Sequence, residues 1–171
     1  MGTERNGRAS LKTKISGNDF DARQRVSLRE VREEDLETFF ENQLDPEALR
    51  MAEFPSRDRD GHSAHWRRIL ADGSVIAATI LFDGRVAGDI VSWDNDGARE
   101  VGYWIGRSFW GRGIATAALE QFVDSRDGPP LHAHVAKRNI GSLRVLEKCG
   151  FTVVSESKDG DVDELILFLG G

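Results

Sequence analysis

The segment Trp110-Gly111-Arg112-Gly113-Ile114-Ala115-Thr116 combines two glycines with the first turn of an apolar helical pattern. A glycine-rich turn that opens a helix points several backbone N–H groups, and the positive end of the helix dipole, at one spot, which suits a phosphate. Two phosphate motifs do not fit. A P-loop closes on Gly-Lys-Ser/Thr, which is missing, and a dinucleotide fingerprint wants a third Gly or Ala where Thr116 stands, inside a βαβ unit. A Gly-rich turn with no ligand stays open on this motif alone. About twenty-five residues on, Asn139-Ile140-Gly141-Ser142 leads through a helical stretch to Gly150-Phe151, so a polar cap, a helix and a Gly-Phe exit follow a strand. Two histidine pairs, His62-x-x-His65 and His132-x-His134, could each face one side of their element. No companion Cys or suitably spaced carboxylate completes a zinc site, and no metal is expected. Cys149 ends an apolar helix face and reads as a small buried hydrophobe rather than a nucleophile.

The elements that must position these residues follow from periodicity. Val26 to Val31 reads as a strand, and Leu36, Phe39, Phe40 and Leu44 share one helix face. Asp45-Pro46 restarts the chain as cap and first helical residue of a second helix. A third helix after Asp60 places His65, Trp66, Ile69 and Leu70 together. Val75 to Phe82 and Arg85 to Trp93 flank the hairpin signal Asp83-Gly84, and Asp94 to Gly97 turns the chain into Arg99 to Ile105. Then come a helix with Ile114, Ala118 and Phe122 on one face, a strand Leu131 to Ala136, a helix Ile140 to Lys148 stopped by Gly150, and strands Phe151 to Ser155 and Asp163 to Leu169. Trp93 and Trp104 fall in strands and read as core.

Length and charge exclude several classes. The chain has 171 residues, 39% apolar and 30% charged, with a net charge of -6. That describes one ordinary globular domain, without the roughly 20-residue apolar run a membrane span requires. A single cysteine rules out an internal disulfide framework and makes a cytoplasmic setting the default. Residues 1–25 carry six basic groups against three acids and few apolar residues, and read as a flexible leader of the kind cloning can append. Residues 28–53 hold nine acids against three bases, the most acidic stretch. With no basic surface on the body, neither nucleic acid nor a membrane is an expected partner.

Taken in order, Gly102-Tyr103-Trp104-Ile105, Trp110-Gly111-Arg112-Gly113 and Asn139-x-x-Ser142 with Glu147-Lys148-Cys149-Gly150-Phe151 resemble the GNAT superfamily of acetyl-CoA-dependent N-acetyltransferases. More narrowly, they are similar to the branch that acetylates ribosomal-protein N-termini. The resemblance covers Val26 to Leu169. It implies an α/β (α+β) fold: a mixed, mostly antiparallel sheet flanked by helices and splayed open after the Gly102 to Ile105 strand. The pantetheine arm of acetyl-CoA would lie in the splay along Tyr103, Trp104, Ile105 and Gly106. The pyrophosphate would rest beside Trp110 and Gly111 on the N–H groups of Arg112, Gly113, Ile114, Ala115 and Thr116. Asn139 and Ser142 would hold the pantetheine or a water. Trp110 stands where the broader superfamily often has Arg or Gln, as in the ribosomal branch.

The implied reaction is direct transfer of acetyl to a primary amine in a ternary complex. It needs a base for the ammonium, a donor for the oxyanion and an acid for the thiolate. The resemblance points first to Glu100 as base, with Asp89 on the preceding strand as second choice. Many relatives use a Tyr seven residues after the Asn. Here that residue is Leu146, so Ser142 or a bound water becomes the acid. The helices before the sheet would form the acceptor side, with Trp66 and Phe40 as pocket walls and the acids of 28–53 drawing a cationic amine. A protein N-terminus, an amino acid, a polyamine or an amine-bearing drug all fit, and relatives are often homodimers. The alternative is a CoA-binding sensor without fast chemistry, which the missing Tyr favours.

Overall fold

The computed structural model describes residues 17–170. The chain runs α1 (Gly17–Arg25), β1 (Val26–Glu30), α2 (Asp35–Gln43), α3 (Pro46–Ala52), α4 (Arg59–Ala71), β2 (Ile76–Phe82), β3 (Arg85–Asn95) and β4 (Ala98–Ile105). A single 3-10 turn (Arg107–Phe109) leads to α5 (Ile114–Asp124), β5 (Leu131–Ala136), α6 (Ile140–Lys148), β6 (Thr152–Asp159) and β7 (Val162–Leu169). All seven strands form one sheet in the order β1-β2-β3-β4-β5-β7-β6.

Local sequence explains most of the boundaries. Asp45 caps α3, its carboxylate accepting from the N–H groups of Glu47 and Ala48, with Pro46 at the first helical position. Asp58 caps α4, so this helix starts two residues before the expected Asp60 boundary. The Asp83-Gly84 and Asp96-Gly97 turns hold both residues at positive φ, the backbone of a two-residue hairpin. Gly150, at φ 89°, ends α6.

The expected leader is corrected in part. Its first sixteen residues lie outside the described residues, but its last nine form α1. Ala22 of α1 is buried in the main core, and the Arg23 guanidinium donates to both oxygens of Glu120 on α5 at 2.7 and 2.6 Å. These nine residues show no periodicity of their own and form a helix where α5 offers them a surface.

The main core lies between one sheet face and α5 and α6, where Ile80, Ile90, Leu119, Leu146 and Leu167 are fully buried. On the other face α2 and α4 pack through Phe39 and Trp66, ring centroids 4.8 Å apart. A polar anchor fixes this layer. Asp35 at the start of α2 accepts from Arg29 at 2.6 and 2.8 Å, from Thr79 at 2.7 Å and from the Arg32 N–H at 2.9 Å. Burial alone would raise the Asp35 pKa, but these hydrogen bonds outweigh it and hold it at about 2, below the ordinary 3.8. Because the folded value is depressed, the stabilisation is present above pH 3.8 and is lost as pH falls toward 2. Asp35→Ala is expected to lower stability by roughly 3 kcal/mol, leaving Arg29 without its buried partner. Urea unfolding at neutral pH measures it.

The sheet opens where expected. β4 and β5, the parallel pair, are joined only at Arg99–Leu131 and Glu100–His132, and beyond Glu100 they part.

Candidate active site

The splay leaves part of the β4 backbone without a strand partner. The Gly106 N–H donates to the Ala87 carbonyl, so Gly102 and Trp104 spend their backbone groups on β3 in the alternating antiparallel pattern. The groups of Tyr103 and Ile105 then turn toward β5, where no strand follows. Of these, the Ile105 carbonyl already accepts from the Trp110 indole at 2.8 Å. Gly106 is a correction: both its backbone groups are engaged within the protein, its N–H by Ala87 of β3 and its carbonyl by the Phe109 N–H in the turn, and it lines neither cavity described below.

A cavity of about 520 Å³ opens on one side of the splay. Gly111, Gly113, Ile114, Ala115 and Thr116 form one wall. Gly113, at φ 73° in the left-handed region, caps α5 with no side chain over the helix end, which leaves the first-turn N–H groups open. Arg112 is not on the wall; its guanidinium lies 5.9 Å over the Phe82 ring. The opposite wall, missed in the sequence, comes from Ala48 and Met51 of α3 and from Gly141, Arg144, Val145 and Lys148 of α6. The α6 set has i, i+3, i+4, i+7 spacing, so a helical face was there to be read.

A second cavity of about 820 Å³ lies across the splay, between α4, the sheet and the β6–β7 turn. Tyr103, Trp104, Asn139 and Ser142 belong to both. At this junction the Tyr103 and Ser142 hydroxyls are 2.8 Å apart, and the Asn139 side-chain Oδ1 accepts from the Ser142 N–H at 3.1 Å, so Asn139 serves first as the α6 cap. Burial pushes the Tyr103 phenol pKa above its ordinary range and keeps it protonated. Leu146 lines the second cavity, an apolar wall with no proton to give.

The two candidate bases part company here. Asp89 lies on the second cavity, is 7% exposed, and burial raises its pKa to about 7. Glu100 lines neither cavity. Its carboxylate accepts from Asn95 at 2.7 Å and sits 3.5 Å from His134, whose other nitrogen is 3.2 Å from Glu164.

Of the two residues expected on the acceptor side, Trp66 lines the second cavity, whereas Phe40 is corrected to core, its ring against His62 and under the Arg59 guanidinium. His65 lines the cavity, and His132 packs on Phe168. Among the described residues no group of three or more His, Cys, Asp or Glu is placed to hold a metal, and no helix is long and apolar enough to cross a membrane. Burial pushes the Cys149 thiol up to about 12. The acids of 28–53 are largely answered locally: Asp35 by Arg29, Glu37 by Arg59, Asp45 by Arg107, Glu47 by Arg50 and Glu53 by Arg138.

Comparison with known proteins agrees with this geometry. Over 102 residues the chain is 33% identical to "Putative ribosomal N-acetyltransferase YdaF" of Bacillus subtilis (strain 168), a stretch covering 56% of each protein, so the match spans about half of that relative. Mycobacterium smegmatis RimJ in complex with CoA-disulfide superposes with a TM-score of 0.71 at 23% identity, over 85% of this chain and 81% of that one. The spermidine N-acetyltransferase from Vibrio cholerae in complex with CoA and spermine gives 0.74 at 14% identity, over 86% and 96%. These two likenesses carry the fold. The profile described as Acetyltransferase (GNAT) domain matches residues 25–152, well over half of the chain. With the splayed sheet and the glycine-opened α5 already in place, that match is decisive: the chain belongs to the GNAT acetyltransferase family.

Proposed function

We propose that this protein transfers an acetyl group from acetyl-CoA to a primary amine at the junction of its two cavities. The observation that carries this reading is their meeting at Tyr103, Trp104, Asn139 and Ser142. The first cavity fits acetyl-CoA. Uncapped N–H groups at the α5 start suit the pyrophosphate, Arg144 and Lys148 add positive charge along α6, and the backbone of Tyr103 offers a strand-like partner to the pantetheine amides. Bound there, acetyl-CoA supplies the thioester.

The chain's own groups then handle the protons. Asp89, raised to about 7 by burial, is a base half-ionised near neutrality and placed on the acceptor cavity, where it takes the ammonium proton. Tyr103, held protonated, donates to the Ser142 Oγ and leaves the Ser142 proton for the departing thiolate. Glu100, held by Asn95 and beside His134, steadies β4 against β5. A cytoplasmic setting belongs to this reading, supported by the single, half-buried Cys149.

The test is release of free thiol from acetyl-CoA across a panel of amines. Amine-dependent release is expected, and Ser142→Ala should lower kcat roughly 10²-fold. Acetyl-CoA binding without release for any amine would instead favour a CoA sensor, the reading that Leu146 in place of a tyrosine supports.

A further inference from the structure

The helical wall of the larger cavity carries two guanidiniums that no carboxylate answers. Arg57 stands one residue before the α4 cap Asp58, and Arg68 lies one turn beyond His65 on α4. All three line the cavity. Among the described residues neither arginine has a carboxylate within ion-pair distance, in a chain with 29 acids against 23 Lys and Arg. Arg57 is half-buried over the Phe54 ring at 4.9 Å, and its Nη1 is shielded from solvent with no acceptor. Burial, and after it repulsion from Arg68, lowers the Arg57 pKa. Burial, then Arg57, Arg68 and His62, pushes His65 down to about 4, so its ring is neutral at physiological pH.

For Arg57, partly stripped of water, an unpaired guanidinium costs free energy until an anion meets it, while Arg68 is exposed and adds its charge beside it. The protein supplies none. Glu53 faces Arg138, Asp94 faces Arg99 and Glu164 faces His134; Asp72, four residues after Arg68, also lines the cavity but accepts from the Ser74 N–H and hydroxyl; Asp89 lies on the sheet wall and Asp159 at the β6–β7 turn. The cavity therefore presents two cations on its helical wall and a proton acceptor on its sheet wall, the complement of a molecule carrying both an amine and an anion.

We propose that the acceptor is an anionic amine, whose own carboxylate or phosphate is held by Arg57 and Arg68 while its ammonium meets Asp89. This rests on the transferase reading above. A polycationic amine would set like charge against the pair.

Matched acceptors test it, using the full chain, acetyl-CoA and thiol release. The pairs are ω-amino acids of increasing length against their amides, phosphoethanolamine against ethanolamine, and a peptide beginning Ser-Glu against one beginning Ser-Gln. Spermidine is the polycation. The anionic member of at least one pair should exceed its neutral partner in kcat/KM by roughly 10-fold to 100-fold, the range of a charge-assisted hydrogen bond. The favoured pair tells carboxylate from phosphate and free amine from peptide. Arg57→Gln and Arg68→Gln should each bring the ratio toward one. Arg57→Lys, which keeps the charge without the fork, should retain part of it. Equal or better turnover of neutral acceptors or spermidine, or a ratio that survives both Gln variants, overturns the proposal alone. No release with any amine, while acetyl-CoA still binds, overturns the transferase reading and this one together.

Discussion

Asp89→Asn is expected to lower kcat by roughly 10²-fold to 10⁴-fold, the span of a positioned general base. Asp89 sits on β3 opposite Thr79 of β2 and Trp104 of β4, under the layer of α2 and α4, and this burial raises its pKa to about 7. A base works when ionised, so kcat/KM should rise with pH through about 7 and level off above it. In Asp89→Asn that rise should flatten, because the group that titrates is gone. Glu100→Gln should cost less than about 10-fold, since its carboxylate lines neither cavity and is engaged by Asn95. Asn at position 89 keeps the volume, so thermal unfolding should change little, which separates lost chemistry from lost fold. A full acid limb surviving in Asp89→Asn, with the rise abolished in Glu100→Gln, would return the role to Glu100.

Gly88→Ala should produce the largest loss of stability. A Cβ there would lie 1.9 Å from the Trp104 carbonyl oxygen, 2.9 Å from its carbon and 3.1 Å from the Ile105 Cα. All three are backbone atoms of β4, so no rotamer change relieves the contact, and the two strands must separate. Gly88 pairs with Ile105 at the end of the ladder that holds Asp89 against Trp104, so the clash falls beside the proposed base. We expect a cost of about 4 kcal/mol, in the upper tail of single substitutions, with loss of activity in whatever folds. Gly102→Ala offers the comparison. Its nearest atom is the Trp93 ring at 3.4 Å, an ordinary contact that a side chain can yield to. Chemical denaturation of both variants should show a small shift for Gly102→Ala and a large one for Gly88→Ala.

Much of the scaffold was legible because its signals are local. Asp45-Pro46, Asp83-Gly84, Asp96-Gly97 and Gly150 act through their own φ and side-chain hydrogen bonds, within a few residues of chain. The α5 start could be read for the same reason: a glycine-opened helix exposes N–H groups whatever surrounds it. The readings that failed needed distant partners. Phe40 shares the apolar face of α2, and nothing in its spacing distinguishes a pocket wall from packing under His62 and Arg59. Gly106 seemed available to a ligand until the sheet claimed its N–H for Ala87. Residues 17–25 looked like leader until Ala22 and Arg23 found α5.

The sequence by itself determined the order of the main elements from β1 onward, the position of the splay-edge strand and the helix terminus that suits a phosphate. These rest on periodicity, turn chemistry and capping. Tertiary structure alone decided which of the two candidate carboxylates reaches the larger cavity and which arginines reach it unpaired. Asp89 and Glu100 are both acids on adjacent strands, and their fates part only when strand register, the end of the β4–β5 ladder and the cover of α4 are fixed together. Arg57 and Arg68 differ from the paired arginines by what stands near them in space, a property set by contacts between segments far apart in the chain.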